Sequence, residues 1–243
     1  EQRAKGVRYP LPKLRTSVKL AAGEDRTKPI RAEGEIELPL IGSQPTLAVA
    51  PAKREPQIDG KLDDKAWQDK PDVPLLGRMD REPPIDPPTQ AWAKYDENAL
   101  YIAFRCEEPR IDQLKTEVSQ RDGNIWTDDS VEIMLDPDGE GTDYRHLAIN
   151  GRGALYDAQR FDNQVDLEGV RRATHVGAEA WTVEVAIPWR ALGVNGPAKD
   201  MTMLLARTRH AGGKRTVFQF PVSPANNHQP DHFARLRFQA PNR

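Results

Sequence analysis

The chain has 243 residues, enough for one large β-sandwich with an appendage or for two small domains. Its 35 Lys and Arg nearly balance its 37 Asp and Glu, which argues against a nucleic-acid partner, since phosphates require a basic face. No apolar run approaches the roughly 20 residues that a helix needs to cross a bilayer. We therefore expect neither nucleic-acid binding nor a transmembrane segment within this sequence.

Residues 1–50 differ in texture from the rest of the chain. They are rich in Pro, Lys and Arg, and only residues 16–20 and 33–38 alternate as strands do. Because this region has too few apolar residues for a core of its own, we predict an N-terminal extension or arm that can form a β-hairpin. Its apolar, Pro-stiffened segments suit a protein partner. The candidate partner-docking residues are Tyr9, Leu11, Leu38, Leu40 and Ile41.

Residues 56–240 read as one continuous all-β domain. Short alternating strands recur between clusters of Gly, Asp, Asn and Pro, a pattern typical of a sandwich or barrel. Short helical turns are expected at residues 62–68 and 188–192. We predict an antiparallel β-sandwich of the jelly-roll or immunoglobulin-like kind. Its predicted strands are residues 89–95, 100–106, 130–136, 144–150, 154–158, 181–187, 201–209 and 215–222.

The alternation also assigns side chains to faces. In strand 130–136, Val131, Ile133 and Leu135 point to the core and Glu132 points away from it. Cys106 is the single cysteine, and the alternation places its side chain on the core side of its own strand. It cannot form an internal disulfide or a thiolate metal cluster, so we expect a buried small hydrophobic residue.

Several segments occur in a characteristic order along the domain. They are residues 58–67, 95–104, 125–133, 135–141, 144–153, 181–192, 226–233 and 235–238. This ordered set, over roughly residues 56–238, resembles the family 9 carbohydrate-binding modules and their sugar- or haem-binding sandwich relatives. The first 50 residues have no counterpart in this resemblance.

The resemblance implies a ligand site. Family members that bind sugar hold it between two aromatic rings, with a carboxylate, an arginine and an asparagine reading the hydroxyls. Trp126 matches the first ring, Glu132 the carboxylate and Arg145 the arginine. Asn226 or Asn227 can supply the amide.

The sequence departs from this pattern in two places. Residues 224–230, where the family places its second aromatic ring, contain no Trp, Tyr or Phe, and His228 is the nearest planar side chain. Arg145 shares its parity with Leu147, which points it to the core side unless a bulge turns it. Trp126 also has a purely structural interpretation, as a plug at the end of the sandwich.

An acidic turn is a candidate for calcium. Asp136, Asp138, Glu140 and Asp143 alternate around glycines, which suits a hard cation with oxygen ligands. The alternative is an ordinary acidic hairpin turn, because Asp and Gly are common turn residues.

Other chemistry finds less support in the sequence. A minor alternative is a haem-binding electron-transfer domain that uses Met134 with His228 or His232. There is no Gly-x-Ser-x-Gly elbow, no phosphate-binding glycine pair and no Cys–His arrangement, so we expect no enzyme activity.

Two interpretations of the function follow. The sequence favours an accessory or structural subunit that docks on a larger protein assembly, which can be a membrane-anchored one. The alternative is a module that recognises glycan ends. An open mouth around Trp126 would favour sugar, and a mouth filled by His228 or by another chain would favour docking. The first residue is Glu1 rather than Met, as in a processed mature protein, so we expect a periplasmic or extracellular location.

Overall fold

The computed structural model describes residues 44–74, 76–79 and 86–240, together with the backbone of four short strands before residue 44. The chain divides into two compact units, of which one comprises residues 8–43 and the other residues 1–7 and 44–243.

The smaller unit contains two antiparallel strand pairs. Strand β1 (Lys13–Ser17) pairs with β4 (Glu35–Pro39), and β2 (Leu20–Ala21) pairs with β3 (Arg31–Ala32). Of the candidate docking residues, Leu38 lies in β4, where only the backbone is described. The other candidates, Tyr9, Leu11, Leu40 and Ile41, lie outside the described residues.

The larger unit is built almost entirely of strands, and no α-helix occurs within its described residues. The strands are β5 (Thr46–Pro51), β6 (Gly77–Arg78), β7 (Thr89–Tyr95), β8 (Ala99–Glu107), β9 (Ser130–Asp136), β10 (Arg145–Asn150), β11 (Leu155–Gln159), β12 (Arg171–Val176), β13 (Ala180–Pro188), β14 (Thr202–Arg209), β15 (Thr216–Phe220) and β16 (Ala234–Phe238). Short 3₁₀ turns occur at Lys65–Trp67, Ile111–Gln113, Ile125–Thr127, Trp189–Leu192 and Pro230–His232.

The strands form a curled sheet that folds into a sandwich, as predicted. The order runs β11-β10-β9-β14-β16-β5-β7-β8-β13-β12, with β15 on β14 and β6 on β15. We call β6, β9, β10, β11, β14, β15 and β16 the front sheet, and β7, β8, β12 and β13 the back sheet. Strand β5 joins them, because it pairs in parallel with β16 at one end and with β7 at the other. The remaining pairs in this unit are antiparallel.

The core lies between the two sheets, on the faces that the alternation assigned. Val131, Ile133 and Leu135 from the front sheet pack with Phe104 and Val183 from the back sheet, all fully buried. The burial of each such side chain contributes about 1.5–3 kcal/mol to the free energy of folding. Cys106 is also buried there, and burial raises the pKa of its thiol to about 12. This thiol is therefore a structural group.

The eight predicted strands all occur, within two residues at each end. Residues 62–68, predicted as a helical turn, shorten to the single 3₁₀ turn Lys65–Trp67, and residues 188–192 become Trp189–Leu192. Strands β5 and β12 were not predicted. Strand β5 falls across the end of the predicted extension and finishes on a proline, and β12 is an edge strand that is mostly exposed and lacks an apolar face.

The opening segment of the domain is held by one buried carboxylate. Glu184 of β13 accepts hydrogen bonds from Trp67 Nε1 and Gly60 N, both at 2.7 Å, and from Asp59 N at 3.1 Å. Gly60 has a φ of +89°, and a Cβ there would lie 2.5 Å from the carbonyl carbon of Thr174. The Asp59–Gly60 pair and Trp67 thus have a structural role in closing the sandwich.

Candidate functional site

The candidate site lies on the outer face of the front sheet, opposite the core. Glu132 of β9 accepts a hydrogen bond from His146 Nε2 of β10 at 3.0 Å, and its side chain is only 5% exposed. Burial alone raises the pKa of Glu132, but the hydrogen bond and the charge of His146 outweigh it and leave that pKa below its usual value. The site therefore contains a carboxylate that is ionised at neutral pH.

The loop between β15 and β16 covers this carboxylate with two side chains. The Asn227 amide lies close enough to Glu132 to help lower the pKa of that carboxyl, and the Asn227 Oδ1 accepts from Gln219 Nε2 at 2.5 Å. The ring of His228 lies 5.2 Å from that of His146. The mouth of the site is thus occupied by the chain itself.

His228 is held in a neutral form. Its Nδ1 lies 2.7 Å from the hydroxyl of Tyr144. Burial, and then the charge of His146, lower the pKa of His228 to about 4. Burial also raises the pKa of Tyr144, so the phenol keeps its proton.

The covering loop is fixed by hydrogen bonds of its own. The amide and the hydroxyl of Ser223 both donate to Gln219 Oε1 at 3.0 Å. Asn226 is exposed, and its Oδ1 accepts from the backbone amide of His228 at 2.8 Å. Of the two predicted asparagines, Asn227 is therefore the one beside Glu132, whereas Asn226 shapes the turn.

Trp126 stands at the edge of the same face, in the 3₁₀ turn Ile125–Thr127 before β9. Its ring meets that of Tyr156 edge-on, with centroids 5.3 Å apart. The buried carboxylates of Asp128 and Asp129 hold this turn by accepting backbone amides from the neighbouring loops. Trp126 is partly exposed, whereas the other four tryptophans of the chain are at most 6% exposed. Part of the Trp126 ring packs on the small cluster around Tyr156, and the rest of the ring remains accessible.

A further aromatic ring lies beside His228 and was not identified from the sequence. Phe161, in the turn after β11, has its ring centroid 4.7 Å from that of His228, with the planes 35° apart, and it is 66% exposed. Within residues 159–166 it is the one aromatic residue among mostly polar ones. A single aromatic residue among polar ones indicates an exposed ring. Its contact with His228, however, arises only in the folded protein.

Arg145 does not join this group. As its parity indicated, it lies on the other face of β10, where its guanidinium pairs with Asp143 Oδ1 at 3.0 Å and donates to the Asp143 carbonyl at 2.9 Å. It lines a separate cavity of about 290 Å³ that also includes Gln159 and Arg190. The adjacent His146 takes the place beside Glu132 that the resemblance suggested for Arg145.

The acidic turn after β9 brings only part of the predicted calcium set together. Asp136 is buried and accepts from Gly141 N at 2.7 Å; burial, followed by the neighbouring Asp138 carboxyl, raises its pKa. Asp138 accepts from the backbone amide of Glu140 at 3.0 Å. Asp143 instead faces the Arg145 guanidinium. The four carboxylates therefore do not converge on one point.

A different acidic cluster does converge. Within the described ranges, only Asp122, Asp157 and Asp166 have ligand atoms that all lie within 4.8 Å of one another. The guanidinium of Arg121 lies among them, 2.7 Å from Asp157 Oδ2 and 3.0 Å from Asp166 Oδ1. An arginine thus supplies the positive charge in this cluster.

Met134, the candidate haem ligand, is fully buried on the outer face of β9. It packs in an apolar cluster with Tyr144, Leu204 and Phe233. His232 lies in the 3₁₀ turn that precedes β16. Met134 therefore fills a small core under the covering loop.

Comparisons with known proteins agree with this architecture. Residues 58–238 match the family model described as carbohydrate family 9 binding domain-like. A family 9 carbohydrate-binding module from Caldicellulosiruptor kristjanssonii, solved with cellotriose, superposes with a TM-score of 0.63 and 18% identity, over 81% of this chain and 95% of that one. A structure from the same organism with glucose gives a TM-score of 0.62 and 16% identity, over 81% and 97% of the two chains. No curated protein matches the chain by sequence.

Within the described residues, no helix has the length and apolar character needed to cross a membrane.

Proposed function

Because the chain belongs to the family of carbohydrate family 9 binding-like domains, we propose that it is a non-catalytic module that binds carbohydrate on the outer face of its front sheet. The observation that carries the proposal is the position of Trp126. It is the one tryptophan left partly exposed, and it stands at the edge of the face that contains the ionised Glu132. Family membership favours the glycan interpretation over the docking interpretation that the sequence alone favoured, although the loop that carries His228 covers Glu132.

The contacts suggest how a sugar is held. The apolar C–H face of a pyranose packs on the indole of Trp126. Among the described residues, no protein group hydrogen-bonds to Nε2 of His228. A Tyr144 hydroxyl that donates to Nδ1 leaves the ring proton on Nε2, which then donates to a sugar hydroxyl. Asn227 is the second polar contact, and Glu132 orients it from below.

The almost complete burial of Glu132 gives it a positioning role. Its Oε2 is taken by His146, and its Oε1 lies 3.5 Å from Thr208 Oγ1. An ionised carboxylate beneath the site also repels acidic sugars. We therefore expect neutral sugars to be preferred over uronic acids.

A glycan array followed by calorimetric titration tests the proposal. We expect the wild type to bind a subset of neutral glycans and Trp126→Ala to weaken that binding at least about tenfold, because the stacking surface is lost. Val176→Ala, on the exposed edge strand β12, is a matched control that should leave binding unchanged. A wild type that binds no glycan, or a Trp126→Ala variant that binds like the wild type, would reject the proposal.

Docking on a protein assembly is the second candidate, and two observations support it. The loop with Asn227 and His228 already covers Glu132, and residues 1–57 lie outside the family match. Under this interpretation the chain works outside the cytoplasm, in the periplasm or the extracellular space, as an accessory subunit. Purification from the native source under gentle conditions tests it: partners at fixed stoichiometry would support docking, and a lone chain would leave the glycan function.

A further inference from the structure

Phe161 is the most exposed large hydrophobic side chain in the described part of the chain. Its exposed fraction is 66%, and the next, Val176 on edge strand β12, is at 46%. Single exposed apolar residues are common on protein surfaces. The position of Phe161 is not ordinary, however, because it adjoins the candidate sugar site.

The turn that carries Phe161 is well fixed. Gln159 and Asp162 exchange backbone hydrogen bonds of 3.1 and 2.9 Å across it. The amide of Arg160 donates to the Tyr144 carbonyl at 2.8 Å, and Arg160 has a left-handed φ of +56°. These contacts tie the turn to the residue that also holds His228, so the ring is presented at a defined place.

One face of the Phe161 ring packs against His228, and the 66% exposure of the side chain leaves much of the rest of the ring accessible to a ligand. His228 packs on it with centroids 4.7 Å apart and a tilt of 35°. His228 in turn lies 5.2 Å from His146, which is bonded to Glu132. His228 thus separates Phe161 from the Glu132–His146 pair. A sugar stacked on the accessible part of the Phe161 ring therefore occupies a different position from one that contacts Asn227.

We propose that Phe161 forms a second stacking subsite, which holds the neighbouring unit of the same glycan. The inference rests on the proposed carbohydrate function and extends it from a single sugar to an oligosaccharide. Among the residues that the structure describes, no cation lies over the Phe161 ring, and such an aromatic platform selects by shape. The ligand class is therefore a chain of pyranose units with equatorial hydroxyls, each of which leaves an apolar C–H face free to stack.

Calorimetric titrations with glucose and cellotriose test this inference on the full chain. We expect the wild type to bind cellotriose more tightly than glucose. Phe161→Ala should weaken cellotriose binding about 2- to 10-fold, the range of one aromatic stacking contact, and leave glucose binding within about twofold. Phe161→Trp should restore cellotriose binding, and Val176→Ala serves as the control for loss of an exposed apolar side chain.

The outcomes separate this inference from the proposed function. A wild type that binds neither sugar rejects a glucan-binding function, and the subsite with it. A wild type that binds both sugars while Phe161→Ala changes neither rejects the subsite alone. Equal weakening of both sugars by Phe161→Ala would show that Phe161 only supports His228, and this too rejects the subsite. Thermal melting of each variant establishes that it is folded.

Discussion

His228 is the side chain on which most contacts of the site converge. Its ring touches Tyr144, His146 and Phe161, and its backbone amide is held by Asn226. A protonated ring in this place would be poorly solvated, because the side chain is largely buried against Tyr144, His146 and Phe161. The neutral form of His228 is therefore part of the folded structure.

The pH dependence of stability follows from this neutrality. The pKa of His228 is about 4 in the folded protein against an ordinary value of 6.5. The unfolded chain therefore takes up the proton first, and the contribution of His228 to stability is present above pH 6.5 and is lost as the pH falls towards 4. Urea unfolding at a series of pH values should show a smaller loss of stability on acidification for His228→Gln than for the wild type. Parallel pH profiles would contradict this account.

At the level of elements, a buried ion network joins the two sheets. Glu108, directly after β8 of the back sheet, accepts from Arg207 at 3.0 Å and from Arg209 at 2.7 Å, both in β14 of the front sheet. Glu108 and Arg207 are fully buried. Burial alone raises the pKa of Glu108, but the hydrogen bond from Arg209 and the charges of both arginines outweigh it and lower that pKa overall.

Breaking this network should be costly. Glu108→Gln leaves the buried Arg207 without its counter-charge, for which we expect a loss of about 3–5 kcal/mol in the free energy of unfolding. The neighbouring Glu107→Gln is the matched control. Glu107 pairs with Arg105 at the surface, so we expect a change of about 0–1 kcal/mol. Urea unfolding measures both, and similar losses for the two variants would refute a bridging role for the buried network.

The acidic turn between β9 and β10 leads to a prediction about metal. Because Asp143 is engaged with Arg145 and the four candidate carboxylates do not converge, we expect the turn to be stable without calcium. Thermal melting in the presence of a chelator should give the same midpoint as melting with added calcium. A clear upward shift of the midpoint with calcium, lost in Asp138→Asn, would instead establish a site there.

For the whole molecule, the sandwich was predictable because apolar and polar residues alternate along each core strand. Strand β9 alternates cleanly, and its side chains fall on the expected faces. Strand β12 has no apolar face, and the alternation of β5 is limited to Leu47 and Val49 at the end of the predicted extension. The position of β5 is determined by parallel pairing with β16 and β7, which are distant in sequence.

The site was predictable only in part, for the same reason. Trp126 and Glu132 lie on or beside one strand, so resemblance and parity placed both. Side chains alternate between the two faces of β10, so the pattern that places Arg145 on the core side also places His146 on the same face as Glu132. The position of His146 could therefore have been predicted from the sequence. Phe161 and His228 meet through two loops far apart in the chain, and no local pattern encodes such a contact.

The central claim is that sugar binds at Trp126, and tryptophan fluorescence during a glycan titration tests it most directly. Four of the five tryptophans are at most 6% exposed, so a ligand on this face should alter the emission of Trp126 alone. We expect a saturable change in the wild type and no change for Trp126→Phe. A change of the same size in Trp126→Phe, or no change in the wild type with any glycan, would contradict the account.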